Sequence, residues 1–556
     1  MERSLKAKVS ARWEDLKNER SSWIGHWRDI SEVLLPRSGR FMLETNNRGD
    51  RGRYRAILDN TGTRALRTLA GGMMSGMTSP ARPWFRLTTF NPELDESYQV
   101  KAWMSKVTSL MQMVFYKSNV YRALQMSYEE LGAFGTSATI ILDDFDKVIH
   151  CMPLTIGEYA IATDARGRVN TVYREFRMTA SMMVEEFGLE NCSQGVKDAY
   201  REGKRDTWFT VVNAIEPREN YDPKKPDNKN MPYRSVYFEP GTSEDKLLRE
   251  TGFREFPAMV ARWAVTGGDI YGNSPGMEAL GDLKQLQQEQ RCKSQAIALQ
   301  VNPPLLMPFE LKNAGSEVVP GGIIPYGNAQ QAQGIRSAYD VNLRLDYLLN
   351  DIQDVRERVK EAFYTDIFMM LANNTSAATR MTATEVTERH EEKMILMGPV
   401  LERLNAEMLD PLINLTFSRM VEAGMLPPIP EELQGAELNV EFISIMAQAQ
   451  KAISTNAVDR FVTNLGMIAG MKPDVLDNFD SDFYAQYYSD ALGIDPRFIV
   501  SGENVALIRQ QRAQAEQQAA QMAVAEQMSG VAKNLGVSAD AMTQTPDQIM
   551  GAFQGF

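Results

Sequence analysis

YGNSPGMEALGDLKQLQQEQRCKSQAIALQVNPP, residues 271–304, is the stretch on which the fold turns. Ser274-Pro275 opens a helix at its first turn, where proline has no hydrogen bond to lose. Met277, Leu280, Leu283 and Leu286 then mark one apolar face. From Gln287 to Gln295 the helix is polar on nearly every side, as suits a helix that is solvated or lies between partners. Asn302-Pro303-Pro304 stops it. Residues 305–340 follow, rich in Gly and Pro, with Val318-Val-Pro-Gly-Gly-Ile-Ile-Pro-Tyr326 reading as short strands in a compact excursion. A second long helix is expected over about 341–370, where Leu345, Leu348, Ile352, Val355, Val359, Ala362 or Phe363, and Ile367 form an apolar stripe. Two long helices therefore flank a small insertion.

Upstream, residues 1–35 read as a helix carrying Trp13, Trp23 and Trp27. Three tryptophans on one element suit an anchor on another surface or an ordinary core helix. Arg37, Arg40, Arg48, Arg51, Arg53 and Arg55 crowd a Gly-containing loop, a solvated segment or a phosphate contact. Residues 56–78 read as helical, ending in a Gly- and Met-rich stretch whose small residues permit close backbone approach. Residues 99–132 predict a long amphipathic helical stretch. From Ala138 to about Phe256 the pattern turns to strands, at 138–142, 157–162, 169–176, 208–215 and 235–238, with a helix near 179–186. Asp143, Asp144 and Asp146 could hold a metal, but aspartates at a hairpin tip explain them better.

Downstream, residues 371–380 are a polar loop of small residues, which should lie exposed because a buried loop strands backbone groups. A very long helix is expected from Met381 to about Ala423, kinked at Gly398-Pro399. Further helices are expected over 456–500. From Glu503 the chain is rich in Gln and Ala, with Ala515, Ala519 and Ala523 as a thin seam for packing on copies of itself.

The chain has 556 residues, 43% of them hydrophobic, enough for about three or four structural units. Its net charge of −12 argues against tight DNA binding, whose affinity comes from phosphate neutralisation. Three distant cysteines and three histidines supply no disulfide framework and no zinc spacing. No phosphate loop, nucleophile elbow or dinucleotide fingerprint is present. No cofactor, no metal site and no enzymatic activity is therefore expected, and no apolar run is long enough for a membrane span.

Four segments, in order, resemble the head-to-tail connecting (portal) proteins of short-tailed bacteriophages. They are Gly71-Gly-Met-Met-Ser-Gly-Met-Thr-Ser-Pro80 with Trp84-Phe85, then Tyr271-Gly-Asn-Ser-Pro-Gly-Met-Glu-Ala-Leu-Gly-Asp282, then Asn302-Pro-Pro304, and Met381-Thr-Ala-Thr-Glu-Val386. The resemblance implies an α+β, mainly helical fold with wing, stem, clip and crown around a central channel. The wing would be residues 1–270 together with 383–500, the stem helices 271–304 and 341–370, and the clip 305–340. Residues 371–382 would be a channel loop and 501–556 a crown helix with a flexible tail.

The implied function is a ring, usually of twelve subunits, through which double-stranded DNA is packaged and ejected. Its place would be one capsid vertex of the virion, after assembly in the host cytoplasm. Implied partners are the terminase motor, the tail adaptor and tail proteins, and the major capsid and scaffold proteins. Ile323, Ile324 and Tyr326 would dock motor or adaptor. Asn373, Asn374, Thr375, Ser376 and Arg380 would face DNA, as a constriction against backward slippage or as a mere connector. The alternatives are another structural ring such as a tail adaptor, or a nuclease using Asp143 to Asp146.

Overall fold

The computed structural model describes residues 4–41, 57–91, 94, 97–222, 224–225, 227–308, 323–326, 336–337, 346–372, 397–435, 437–443, 461–468, several positions between 470 and 484, and 502–534. The chain divides into two compact units, 1–472 and 473–556. The fold is mixed, helices outweighing strands.

The first unit opens with α1 (Leu5–Val33), whose Ser4 hydroxyl accepts from the Ala7 N–H as an N-cap. Its tryptophans pack within the chain. Trp13 stacks on Tyr173, ring centroids 6.1 Å apart. Trp27 meets Tyr271 edge-on at 5.0 Å. Burying each such ring contributes about 2–3 kcal/mol, so the core-helix reading of α1 is the one the structure supports.

α2 (Thr61–Met77), β1 (Phe85–Thr89), α3 (Tyr98–Lys117) and α4 (Val120–Phe134) follow. The helical stretch expected over 99–132 consists of these two helices, parted at Ser118-Asn119. The Asn119 amide explains the break, because it donates to the Cys151 carbonyl at 2.6 Å and accepts from the Cys151 N–H at 2.9 Å. The close approach expected of the Gly-rich α2 is realised at Gly72, where a Cβ would lie 2.1 Å from the Phe368 ring. Gly135 ends α4 in the left-handed region at φ +75, and a Cβ there would sit 2.3 Å from the Gly272 carbonyl oxygen.

Two antiparallel sheets come next. β2 (Thr136–Asp144) is the middle of the three-stranded order β3 (Val148–Leu154), β2, β9 (Ala258–Arg262). The second sheet has the order β4 (Tyr159–Thr163), β5 (Val169–Thr179), β6 (Trp208–Pro217), β7 (Tyr233–Phe238), β8 (Arg249–Phe253). α5 (Ala180–Phe187) and α6 (Gln194–Arg201) cross between β5 and β6, and their Met183, Phe187 and Val196 bury against Val211 and Leu248.

After a helical turn at Pro275–Glu278, α7 (Leu280–Val301) leads to three short strands, β10 (Leu305–Pro308), β11 (Ile323–Tyr326) and β12 (Arg336–Ser337). β10 is central, parallel to β11 and antiparallel to β12. The return helix is divided into α8 (Asp346–Ala362) and α9 (Thr365–Ala372). The break is at Tyr364, whose φ of 53 no right-handed helix accommodates. Phe363, Ile367 and Phe368 nevertheless continue the buried stripe into the main core.

Helix is again described from 397, passes Gly398-Pro399 and becomes a π turn at Asn405–Leu409 before α10 (Asp410–Glu422). This irregularity lies one turn ahead of Pro411; the helix leading into Gly398-Pro399, where a kink is expected, lies outside the described residues. A proline lacks the N–H that an α-helix would use, and the wider π turn accommodates that loss. β13 (Leu438–Phe442) then pairs antiparallel with β1, Phe85 opposite Phe442 and Thr89 opposite Leu438. The second unit contains α11 (Gly502–Asn534), whose side chains from 507 to 522 are all exposed. The expected helical start at 381–396 and most of 456–500 lie outside the described residues.

Candidate functional site

The excursion between β9 and α10 is where sequence and geometry converge. Ser274 sets its angle: the hydroxyl accepts from the Met277 N–H at 3.0 Å and donates to the Ala133 carbonyl at 2.8 Å. α7 and α8 pack together, and Arg358 of α8 bridges Asp282 of α7 at 3.1 Å.

The polar face of α7 is not wholly a surface. Gln287 and Gln290 are buried, and both are spent on Asp59. The Gln287 Oε1 accepts from the Leu58 and Asp59 N–H groups at 2.7 and 2.9 Å, while its Nε2 donates to the Asp59 carbonyl at 2.9 Å. The Gln290 Nε2 donates to Asp59 Oδ2 at 2.8 Å, beside the Arg356 Nη2 at 2.7 Å. Asp59 Oδ1 accepts from both the N–H and the hydroxyl of Thr61 at the start of α2. Burial works to raise the Asp59 carboxyl, but the Thr61 and Arg356 bonds outweigh it and hold it below the usual range. One carboxylate thus ties α2, α7 and α8 together. Farther along α7, burial and the Asp351 carboxyl of α8 raise Glu289.

At the tip of the excursion, Ile323, Ile324 and Tyr326 form β11. Ile323 is in register with Leu305, Ile324 with Leu306 and Tyr326 with Pro308. β11 is an edge of its three-stranded sheet, so one row of its backbone groups is open to further pairing among the described strands. Asn373, Asn374, Thr375, Ser376 and Arg380 lie outside the described residues.

Behind the excursion, two joints close the main body across it. One is the β1–β13 pair, with Arg86 bridging Glu441 at 2.7 Å. The other is Arg262 of β9, only 3% exposed, which clasps Glu407 of the π turn. Its Nη2 lies 2.6 Å from Oε1 and its Nε 3.2 Å from Oε2, and the backbone N–H of Arg262 adds a bond at 2.9 Å. The same guanidinium donates to the carbonyls of Ile270 and Gly167. None of Asp59, Gln290, Arg356, Arg262 and Glu407 was singled out by the sequence reading. Gln287 and Gln290 do repeat at helical spacing after Leu283 and Leu286, which is the one available hint of a polar pair on a buried face.

The three aspartates form a hairpin tip as expected. Asp143 pairs with Arg419 at 2.6 Å. Asp144 Oδ1 accepts from the backbone N–H groups of Asp146 and Lys147, which hold its carboxyl below the usual range. Among the described residues no three acidic, histidine or cysteine side chains gather as a metal site, and no helix is long and apolar enough to cross a membrane.

The chain belongs to the bacteriophage head to tail connecting protein family, whose model matches residues 6–500. It is 58% identical over 98% of both chains to the probable portal protein of Bordetella phage BPP-1. It is 44% identical to the portal protein of Salmonella phage epsilon15, over 98% of this chain and 97% of that one. The portal protein of Enterobacteria phage T3 is 21% identical over 98% and 96% of the two chains. Among solved structures, a chain of the virion of a native gene transfer agent particle covers 80% of this chain and 96% of its own at 11% identity. The TM-score of that match is 0.34. Function follows at this level: the chain is a structural protein that serves as a phage portal, placed where the head of the virion meets the tail. The tail-adaptor and nuclease readings are not favoured.

Proposed function

We propose that residues 1–270 and 383–500 form the wing of a ring subunit, with 271–304 and 341–370 as stem helices. Residues 305–340 are its clip, 371–382 its channel loop and 501–556 its crown with a tail. The observation that carries this reading is the closure of one body across an excursion. β1 pairs with β13 and Arg262 clasps Glu407, while α7, a three-stranded tip and α8 project between them. The helix α11 supports a crown, because its exposed Gln- and Ala-rich surface has little apolar area to bury except against copies of itself. The ring has heterologous contacts, twelve copies being the expected number, and DNA passes through it without being gripped, as a chain of net charge −12 allows. Its β11 edge receives the terminase motor during packaging and a tail adaptor afterwards, and its outer face meets capsid and scaffold proteins. Assembly takes place in the host cytoplasm.

Electron microscopy with mass measurement on the purified chain tests the ring. A closed particle with a central hole is expected, and a monomer at micromolar concentration in near-physiological salt refutes it. Serines at Ile323 and Ile324 should leave the ring intact and abolish motor or adaptor binding. Deleting Asn373 to Ser376 should permit assembly but reduce the DNA retained in filled heads. Full retention would make that loop a connector only.

A further inference from the structure

The hairpin joining β2 to β3 ends on Asp144-Phe145-Asp146, and Phe145 stands wholly in water at 108% of its reference exposure. The turn that carries it is stiff. Asp144 Oδ1 accepts two backbone N–H groups, at 2.8 and 3.1 Å, and Asp143 is held by Arg419. Val148, which closes the turn, has a φ of 72. A β-branched residue held there costs about 1–3 kcal/mol, strain of the kind that persists at functional sites. An aromatic ring left in solvent on a strained, rigid tip stabilises nothing in its own chain.

The same unit carries a pocket of complementary character. Pro80, Arg82, Pro83, Gln112, Tyr116 and Tyr121 line an open hollow of about 130 Å³. Two prolines stiffen one wall, and Tyr116 on the other is 75% exposed. Among the described residues, the buried Nε2 of Gln112 has no hydrogen-bond partner. No bond or ion pair engages the exposed Arg82 guanidinium either. A buried donor without an acceptor costs about 1–3 kcal/mol until one arrives. The hollow thus offers aromatic and proline walls, a cation and an unmet donor. The hairpin tip offers an aromatic ring between two carboxylates.

We infer that the Asp144-Phe145-Asp146 tip of one copy seats in the Pro80–Tyr121 pocket of the next. Phe145 fills the hollow, and the flanking carboxylates meet Arg82 and the Gln112 amide. Knob and pocket are different patches of one surface, so the contact repeats from copy to copy, as a ring requires. This contact rests on the ring reading above and supplies one of its interfaces.

The test uses the full chain carrying Cys292→Ser, which removes the exposed thiol; Cys151 and Cys192 are buried. Chains with Phe145→Cys are mixed with chains carrying Tyr116→Cys, assembled and oxidised. The mixture should give a disulfide-linked dimer, and neither variant alone should. In light scattering, Phe145→Ser should raise the half-assembly concentration about tenfold or more, as loss of a central aromatic anchor does. Its circular dichroism should match the parent's, because the ring touches nothing in its own chain. Arg82→Asp should weaken assembly similarly, and Asp146→Arg should restore it in that background. Normal assembly of Phe145→Ser, or assembled rings without the mixed cross-link, overturns this contact and leaves the ring reading standing. A parent chain that never assembles overturns both.

Discussion

Replacing Asp59 with alanine removes the acceptor shared by α2, α7 and α8. Its side chain is 4% exposed, whereas that of Arg356 is 36% exposed and can turn to water. The arginine therefore recovers part of what it loses. The buried Gln290 amide does not, and Thr61 loses two bonds at the start of α2. Removing one partner of a buried pair costs about 3–5 kcal/mol, and discounting the half-open arginine leaves roughly 3 kcal/mol. Local opening is best read by hydrogen exchange on peptides from α7 and α8, where that loss shortens protection by about a hundredfold. Arg356→Met and the double variant complete a cycle, and the two losses should be less than additive. The effect depends on pH. Because the folded carboxyl titrates below its ordinary value, the unfolded chain takes up the proton first as pH falls. The Asp59 contribution is complete above the ordinary carboxylate range and is lost as pH falls through the folded value. Unchanged exchange in α7 and α8, or strict additivity with Arg356→Met, would refute the reasoning.

Glu130 should behave in the opposite sense. Burial pushes it up to about 7, against hydrogen bonds from Thr155 and Ile156. Its contribution is complete below the ordinary carboxylate range and declines as pH rises toward 7, by roughly 3 kcal/mol. Glu130→Gln should flatten that part of the pH–stability profile, as measured by urea unfolding at a series of pH values. Gly72→Ala places a methyl group inside the Phe368 ring and should lower stability by about 1–3 kcal/mol. Phe368→Leu should recover part of that loss in thermal melts of the double variant. Arg262→Met leaves Glu407 only Arg403 at 3.2 Å and the backbone N–H of residue 262, and should cost about 2–3 kcal/mol, while Arg262→Met with Glu407→Leu should cost less than Arg262→Met alone.

Much of this architecture was legible because it rests on local signals. Ser274-Pro275 both predicts and caps the helical turn that precedes α7, and the strands near 138–142, 169–176 and 208–215 are rich in the β-branched and aromatic residues that favour strands. What escaped depends on distant partners. The break at Asn119 exists because Cys151 binds its amide, and the burial of Gln287 and Gln290 exists because Asp59 waits there. Neither partner is near in sequence, so periodicity alone reads the first as continuous helix and the second as a wet or shared face. The π turn escaped for a related reason. Glu407 is pointed at Arg262 from a distance of many residues, and only the folded chain brings them together.

The pairing of β1 with β13 has a consequence for how the protein is made. Phe85–Thr89 leaves the ribosome long before Leu438–Phe442 exists. At elongation rates of about 5–20 residues per second, that strand waits tens of seconds with its edge unpaired. An open edge is a template for misassociation, and pairings between remote segments form slowly. The body therefore closes only after α7, the three short strands β10–β12 and α8 have been synthesised. Nascent chains lacking residues 438–442 cannot complete it, because β1 then has no partner strand.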